Sequence, residues 1–319
     1  MKKTRIGIIG VGPFCTNYHL RHLQARPDVE VAAVCDVNPD RLSKPDLAPI
    51  PSFENSDLID PDRVDGIIIS TPNSHHFDTC RLALERRIPV LVDKPTTVTT
   101  TDATQLVSLS KSQDCLLMTA FTRRFMASTE HVRSRIQDGQ LTVRKITAVQ
   151  ARIGQVKSSA DGGILHRRTV HIFDVIPWLL DDPVLRVDAS IEYVPGSDQE
   201  SIVDAHLHSQ SGRTIDLLVI RDSDDFLDEV TVYGDERCYR LDKQVVYQSS
   251  PKSGWQRLAD LPAYGTSTDH FIDAIRGETV SPDAPYHDLH SQDGLQALRI
   301  LEAIHRSARS GGFVDVTPD

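Results

Sequence analysis

Gly10-Val11-Gly12 and Asp36 are the residues whose types and spacing point most directly to chemistry. The glycine pair follows a short apolar run, Arg5–Ile9, and opens a helical stretch from about Pro13 to Ala25. The first glycine permits a tight turn, and the second lets the backbone approach a pyrophosphate. The N–H groups of the helix start then meet the phosphate charge. Cys15 stands where a third glycine is usual, a small residue suited to helix–strand packing. Asp36 ends the next apolar run, Val29–Cys35, where a carboxylate can accept hydrogen bonds from both ribose hydroxyls of NAD. A 2′-phosphate would meet like charge there. No arginine follows at Val37 or Asn38, although Arg41 is near, so NAD is expected over NADP. Asp36 alone also reads as a turn aspartate, since Asp-Val-Asn-Pro is good turn chemistry.

Two further side chains suit the handling of a reacting oxygen. Lys94 falls just past the apolar run Pro89–Val92, at the carboxyl end where parallel sheets bind ligands. A cation there stabilises developing oxyanion character. An unperturbed imidazole has its pKa near working pH, which makes His171 the best acid–base candidate. Taken singly, each has a plainer reading: a surface lysine before a proline, and a satisfied core histidine.

These residues need a frame. Over the first 120 or so residues, continuous apolar runs alternate with amphipathic helical stretches. The runs are Arg5–Ile9, Val29–Cys35, Asp65–Ser70, Pro89–Val92 and Leu116–Ala120. The pattern predicts a parallel sheet covered on both faces. Helices are expected at His75–Arg86 and from about Thr101, with Thr99 or Thr100 as the cap. Beyond residue 140 the rhythm changes. One helical stretch, Ile164–Leu180, precedes strand-like runs at Val184–Val194, Ile202–His208, Thr214–Ile220, Glu229–Tyr233 and Arg237–Leu241. Their alternation predicts an antiparallel sheet with one solvated or partner-covered face. Helices at Thr268–Arg276 and Ser291–Ser310 close the chain. The expected class is therefore α/β: an N-terminal Rossmann domain over residues 1–121, then an α+β domain over 122–319 with a large, mostly antiparallel open sheet.

The bulk composition narrows the function. The 319 residues are 39% hydrophobic and 25% charged, enough for two folded cores without a metal staple. A net charge of −10 argues against nucleic acid as the main partner. The five cysteines form no CxxC pair, which gives no zinc signature and fits a reducing, cytoplasmic setting. The start imitates a signal peptide, but its apolar run is short and broken by glycines. No run of about 18 apolar residues predicts a membrane span. The acidic cluster Asp222–Asp225 reads as a solvated turn, and no metal site is expected.

The segments Ser70-Thr71-Pro72-Asn73-Ser74-His75-His76 and Val90-Leu91-Val92-Asp93-Lys94-Pro95 resemble the glucose–fructose oxidoreductase / inositol dehydrogenase (Gfo/Idh/MocA) family. In that family a TPN…H loop and an EKP motif follow successive Rossmann strands; here the second reads Asp93-Lys94-Pro95. The resemblance continues through Arg124-Phe125, Gly162-Gly163, His171-Ile172-Phe173-Asp174 and the Asp293–Leu298 stretch of the last helix. It spans nearly the whole chain, and the order and spacing of the motifs make it specific. It implies hydride transfer between NAD(P) and a sugar, cyclitol or related carbonyl compound, in a homodimer or homotetramer built on the C-terminal sheet. It also implies cofactor contacts from Gly10, Gly12, Pro13, Phe14, Asp36, Thr71, Pro72, Asn73, His76 and Lys94, with a cis peptide before Pro95. Lys94, Arg124, Arg167, His171 and Asp174 are the implied substrate side, with Lys94 and His171 catalytic.

One departure from the family pattern lies four residues before His171. The common Asp-x-Gly-x-His is here Arg167-Arg168-Thr169-Val170-His171. Helical i,i+4 spacing would set Arg167 on the face of His171 and lower the imidazole's proton affinity. Three readings stay open: Arg167 binds an anionic substrate, it turns outward to a surface ion pair, or the usual chemistry is lost. The last admits a non-catalytic dinucleotide-binding regulator. A redox-neutral, glycosidase-type reaction is a further alternative. His166 adds a second polar group, while Tyr264 and His270 are weaker candidates and His287 and His290 read as surface residues.

Overall fold

The computed structural model describes residues 2–44, 46–47, 49–53, 57, 59–151, 162–259, 261–262, 265–278 and 291–316. Tyr264, His287 and His290 lie outside them. The chain forms two compact units, Met1–Phe121 with Gly265–Leu295, and Thr122–Tyr264 with Gln296–Asp319.

The first unit is built on β1 (Thr4–Ile9), β2 (Val29–Cys35), β3 (Ser52–Phe53), β4 (Gly66–Ile69), β5 (Val90–Val92) and β6 (Leu117–Thr119). All pair in parallel, in the order β3-β2-β1-β4-β5-β6. The strand order reverses between β1 and β4, the switch point at which such sheets open a ligand crevice at their carboxyl ends. Both faces are covered, so β4 is buried throughout as Gly-Ile-Ile-Ile. Ile67, Ile69, Val90 and Leu117 pack with Cys80 and Leu84 of α4 (His76–Glu85) and Leu106 of α5 (Thr100–Gln113). Thr99 caps α5 by accepting from Asp102 N at 3.1 Å. The predicted first helix is composite: α1 (Pro13–Cys15), a π-helical turn Thr16–Leu20, then α2 (Arg21–Ala25). A short α3 (Pro39–Leu42) follows β2.

The second unit begins with a 3-10 turn, Thr122–Phe125, then α6 (Ala127–Gln137) and β7 (Val143–Ala151). A second π-helical turn, Leu165–Thr169, leads into α7 (Val170–Leu180). The sheet adds β8 (Val184–Tyr193), β9 (Glu200–Ser209), β10 (Thr214–Ile220), β11 (Leu227–Gly234), β12 (Cys238–Asp242), β13 (Val245–Ser250) and β14 (Ser253–Arg257). Helix α8 (Ser267–Ile275) belongs to the first unit, where an added Cβ at Gly66 would strike Ile275 and Phe271. Helix α9 (Ser291–Ser310) and β15 (Val314–Asp315) end the described chain. The described strands of the second sheet run β14-β13-β12-β11-β7-β10-β9-β8-β15, antiparallel except for β7 beside β10. Val203, Ala205, Leu207, Ile215, Leu217 and Val219 face one side and are buried, while Asp204 and His206 on the other side are exposed. Ile172 and Ile176 of α7 and Ile300 of α9 close over Leu207 and Leu217.

Candidate functional site

At the carboxyl end of β1 the chain must turn away between β2 and β4. Gly10 does this in the left-handed region, at φ +89°. A Cβ there would sit 2.5 Å from Ser70 O and 2.8 Å from Thr71 N, so only glycine fits. Gly10 N donates to Cys35 O and Ser70 N to Ile9 O, both at 2.8 Å, which ties the turn to its neighbours. Gly12 has the opposite surroundings. Its Cβ position is open, with no atom within 4 Å, which leaves the backbone accessible to a ligand.

Asp36 is 4% exposed, yet its carboxylate is richly partnered. It accepts from Val11 N and Asn38 N at 2.9 Å each, and from Arg41 Nη1 at 3.2 Å. The acid thus braces the glycine loop from the end of β2. Gly10, Asp36, Asn38, Thr71 and Pro72 line a cavity of about 470 Å³. Val37 stands 87% exposed on its wall, and Thr71 Oγ1 is buried without a hydrogen-bond partner. A left-handed glycine and a buried acid lining one cavity, with Gly12 open in the same loop, fit a dinucleotide. Pro13 and Phe14 are exposed beside the loop. Cys15 is fully buried, and burial pushes its thiol up, so it packs as a small apolar residue.

The next two strand ends are linked to each other. Asn73 opens a 3-10 turn, Asn73–His75, and His76 starts α4 fully buried. His76 Nδ1 lies 2.8 Å from Pro95 O and Nε2 lies 2.9 Å from Thr71 O. The ring spans the Thr71 and Pro95 loops with both nitrogens engaged by protein. The Lys94–Pro95 peptide is cis, and Lys94 is half-buried. Asp93 meets Ser70, which opens the Ser70–His76 motif, and His19, which no sequence motif includes. His19 Nε2 is 2.9 Å from Asp93 Oδ1, and Ser70 Oγ donates to Asp93 Oδ2. Burial alone would raise the Asp93 carboxyl; the His19 and Ser70 contacts and the charge of His76 outweigh it and hold the group below the usual range.

In the second unit, Arg124 and Asp174 find each other. Arg124 Nε lies 3.1 and 2.9 Å from the two Asp174 oxygens, and both side chains are buried. The pair ties the Thr122–Phe125 turn to α7, one turn beyond His171. His171 itself is half-buried at the start of α7. Arg167 lies in the π-helical turn and is exposed, so the straight i,i+4 face assumed for Arg167 and His171 does not hold there. The Gly162-Gly163 motif has a packing cause. A Cβ at Gly163 would run into the Glu200 carboxylate, which accepts from Ile164 N at 2.9 Å and pairs with His305 at 3.3 Å. Gly294 of α9 similarly lets the helix approach Thr96 and Thr119.

Among the described residues, no three His, Cys, Asp or Glu side chains converge as metal ligands, and no helix is long and apolar enough to cross a membrane.

The two units match, in order, an NAD-binding Rossmann-fold oxidoreductase domain over residues 4–121 and a Gfo/Idh/MocA C-terminal domain over residues 129–240. The chain belongs to the Gfo/Idh/MocA oxidoreductase family, and its first unit is that family's NAD-binding Rossmann domain. The rhizopine catabolism protein MocA of Rhizobium meliloti is 30% identical over 186 residues, 56% of this chain and 58% of that protein. Myo-inositol 2-dehydrogenase of Thermotoga maritima is 25% identical over 194 residues, 58% of this chain and 57% of the enzyme. The matched stretches are under two thirds of either relative. The solved structure of aldose-aldose oxidoreductase from Caulobacter crescentus, complexed with glycerol, superposes with a TM-score of 0.86 at 22% identity. The superposition covers 98% of this chain and 100% of that one, a likeness of fold.

Proposed function

We propose that the chain is an NAD-preferring dehydrogenase or reductase of sugars, cyclitols or related hydroxy and keto compounds. The observation that carries this reading is a cavity lined by left-handed Gly10 and buried Asp36, with the Cβ side of Gly12 open two residues further along the same loop. The names of the relatives, an inositol dehydrogenase and an aldose oxidoreductase, support the substrate class.

When bound, nicotinamide supplies the acceptor or donor of the hydride. Gly10, Gly12, Pro13 and Phe14 form the loop that receives the dinucleotide, with Thr71, Pro72 and Asn73 on the adjoining turn. Asp36 takes the ribose hydroxyls, and its negative charge favours NAD over NADP because Arg41 is already paired with it. Lys94 holds the reacting oxygen and stabilises its negative charge. His171 gives a proton to the new alkoxide in reduction and takes one in oxidation. His76 and the Arg124–Asp174 pair are buried supports for these groups. Arg167 is exposed, and its guanidinium suits a carboxylate or phosphate, so an anionic sugar belongs to the expected substrate range.

The oligomer reading rests on the open face of the second sheet. Val149, Leu218 and Ile220 are half-buried there, and Leu227, Tyr233 and Trp255 are exposed on neighbouring strands. A homodimer or homotetramer would cover them. Five unpaired cysteines favour a cytoplasmic setting.

The test is turnover of Lys94→Ala and His171→Ala with NAD and a polyol that the wild type oxidises. Each variant is expected to lose at least about a thousandfold in kcat/KM, with NADH affinity kept within about threefold. Unchanged turnover in both variants would refute the role assignment.

A further inference from the structure

His19 is fully buried in the π-helical turn that follows the glycine loop, yet both its nitrogens are engaged. Nε2 meets Asp93 Oδ1 at 2.9 Å, and Nδ1 meets Thr268 Oγ1 of α8 at 2.8 Å. The other Asp93 oxygen is held by Ser70 from the end of β4. Asp93 N donates to Ile69 O at 2.8 Å, so backbone and side chain of Asp93 are both fixed. The next residue is Lys94, and the carbonyl of the following Pro95 is held by His76. On its other side His19 is touched by the loop itself. The Phe14 ring, 49% exposed, stands edge-on to His19 at 5.5 Å and stacks on Tyr18 at 5.2 Å. One continuous path of contacts therefore runs from an exposed side chain of the glycine loop, through His19 and Asp93, to the lysine turn.

We propose that His19 is a positioning residue that couples occupancy of the glycine loop to the placement of Lys94, acting through Asp93. The inference rests on the dinucleotide reading of that loop and adds a route within the first unit by which the cofactor readies the lysine. A ligand that orders Phe14 restrains the His19 ring, and the His19–Asp93 bond passes that restraint to the residue preceding Lys94. The bond has a full charge on one side, so it is strong enough to transmit such a bias. Asp93 stays anionic because its partners hold the carboxyl below the usual range.

Trace acetylation of Lys94, read by mass spectrometry with and without saturating NADH, tests this without a known substrate. Fluorescence titration on the same samples reports whether NADH is bound. In the wild type, NADH is expected to slow Lys94 acetylation about tenfold, the worth of one charge-assisted hydrogen bond. In NADH-saturated His19→Ala the protection is expected to fall below about twofold, and His19→Gln, whose amide can donate to Asp93, to restore most of it. Asp93→Asn keeps the side-chain shape and is expected to lose protection like His19→Ala; it carries the test if the alanine variant does not fold. Full protection of Lys94 in a folded, NADH-bound His19→Ala or Asp93→Asn overturns the coupling. A wild type that gives no NADH-dependent fluorescence change overturns the dinucleotide reading instead, and the coupling with it.

Discussion

At Gly10 two constraints fall on one atom: the backbone turns left-handed, and an added Cβ would sit against the Ser70–Thr71 backbone. Asp36 is constrained in another way, as the acceptor for two backbone N–H groups and the Arg41 guanidinium. It therefore braces the loop, and in the proposed reading the same carboxylate also sets cofactor choice. Fluorescence titration of Asp36→Ser is expected to show NADH binding weakened about tenfold, since one braced N–H and a ribose acceptor are lost. NADPH binding is expected to improve, because Arg41 is released next to the 2′-phosphate position. A variant that keeps the full wild-type preference for NADH would show that Asp36 does not discriminate. Gly10, Gly12 and Asp36 were legible in the sequence because each type has a narrow physical use at a strand end. The contacts of His19 and Ser70 with Asp93 were not, because Asp93 is 74 and 23 residues away from them and only the fold brings them together.

The strands of the first unit were legible as elements because a sheet covered on both faces writes itself as continuous apolar runs. The second unit was read less completely. Helix α6, Ala-Ser-Thr-Glu-His-Val-Arg-Ser-Arg-Ile-Gln, has few apolar residues to mark a face, and β7 opens Val-Arg-Lys. Both escaped the sequence reading, although β7 lies in the interior of the nine-strand sheet between β11 and β10. The π-helical turns at Thr16–Leu20 and Leu165–Thr169 escaped as well, since no residue type announces a wider helical turn. Nothing in the pattern of 265–278 shows that α8 returns to the first unit; that depends on its contact with Gly66. The element that carries His171 depends on the Arg124–Asp174 pair. Arg124→Met leaves the Asp174 carboxylate buried without its guanidinium and is expected to cost about 3 kcal/mol in urea unfolding. Arg124→Met with Asp174→Leu is expected to recover most of that loss. Equal destabilisation of the single and double variants would mean that the pair's charge balance is not what holds α7.

For the molecule as a whole, pH acts through carboxyls with opposite shifts. Burial alone would raise Asp93, Glu200 and Asp228, but His19, His305 and Arg123 respectively outweigh it. Their contribution is present above the ordinary carboxyl range and is lost as pH falls through their lowered values. Glu130 works the other way: burial pushes it up to about 7 against the pull of Arg133. Between its ordinary 4.5 and about 7, the unfolded chain gives up this proton while the native state keeps it, so stability falls as pH rises. Glu130→Gln removes that loss. Its gain over wild type is expected to be absent near pH 4 and to reach about 2 kcal/mol by pH 8 in denaturant melts. A gain that is the same at every pH would point to packing alone.

The proposed activity, oxidation of a polyhydroxylated substrate by NAD or its reverse, is tested by NADH formation when the purified protein is given NAD and, in turn, myo-inositol, an aldose and an aldose bearing a carboxylate. Steady NADH accumulation is expected with at least one of them and is expected to be abolished in Lys94→Ala. A chain that binds NADH yet forms none with any of the three, and does not consume NADH with their keto counterparts, would contradict it.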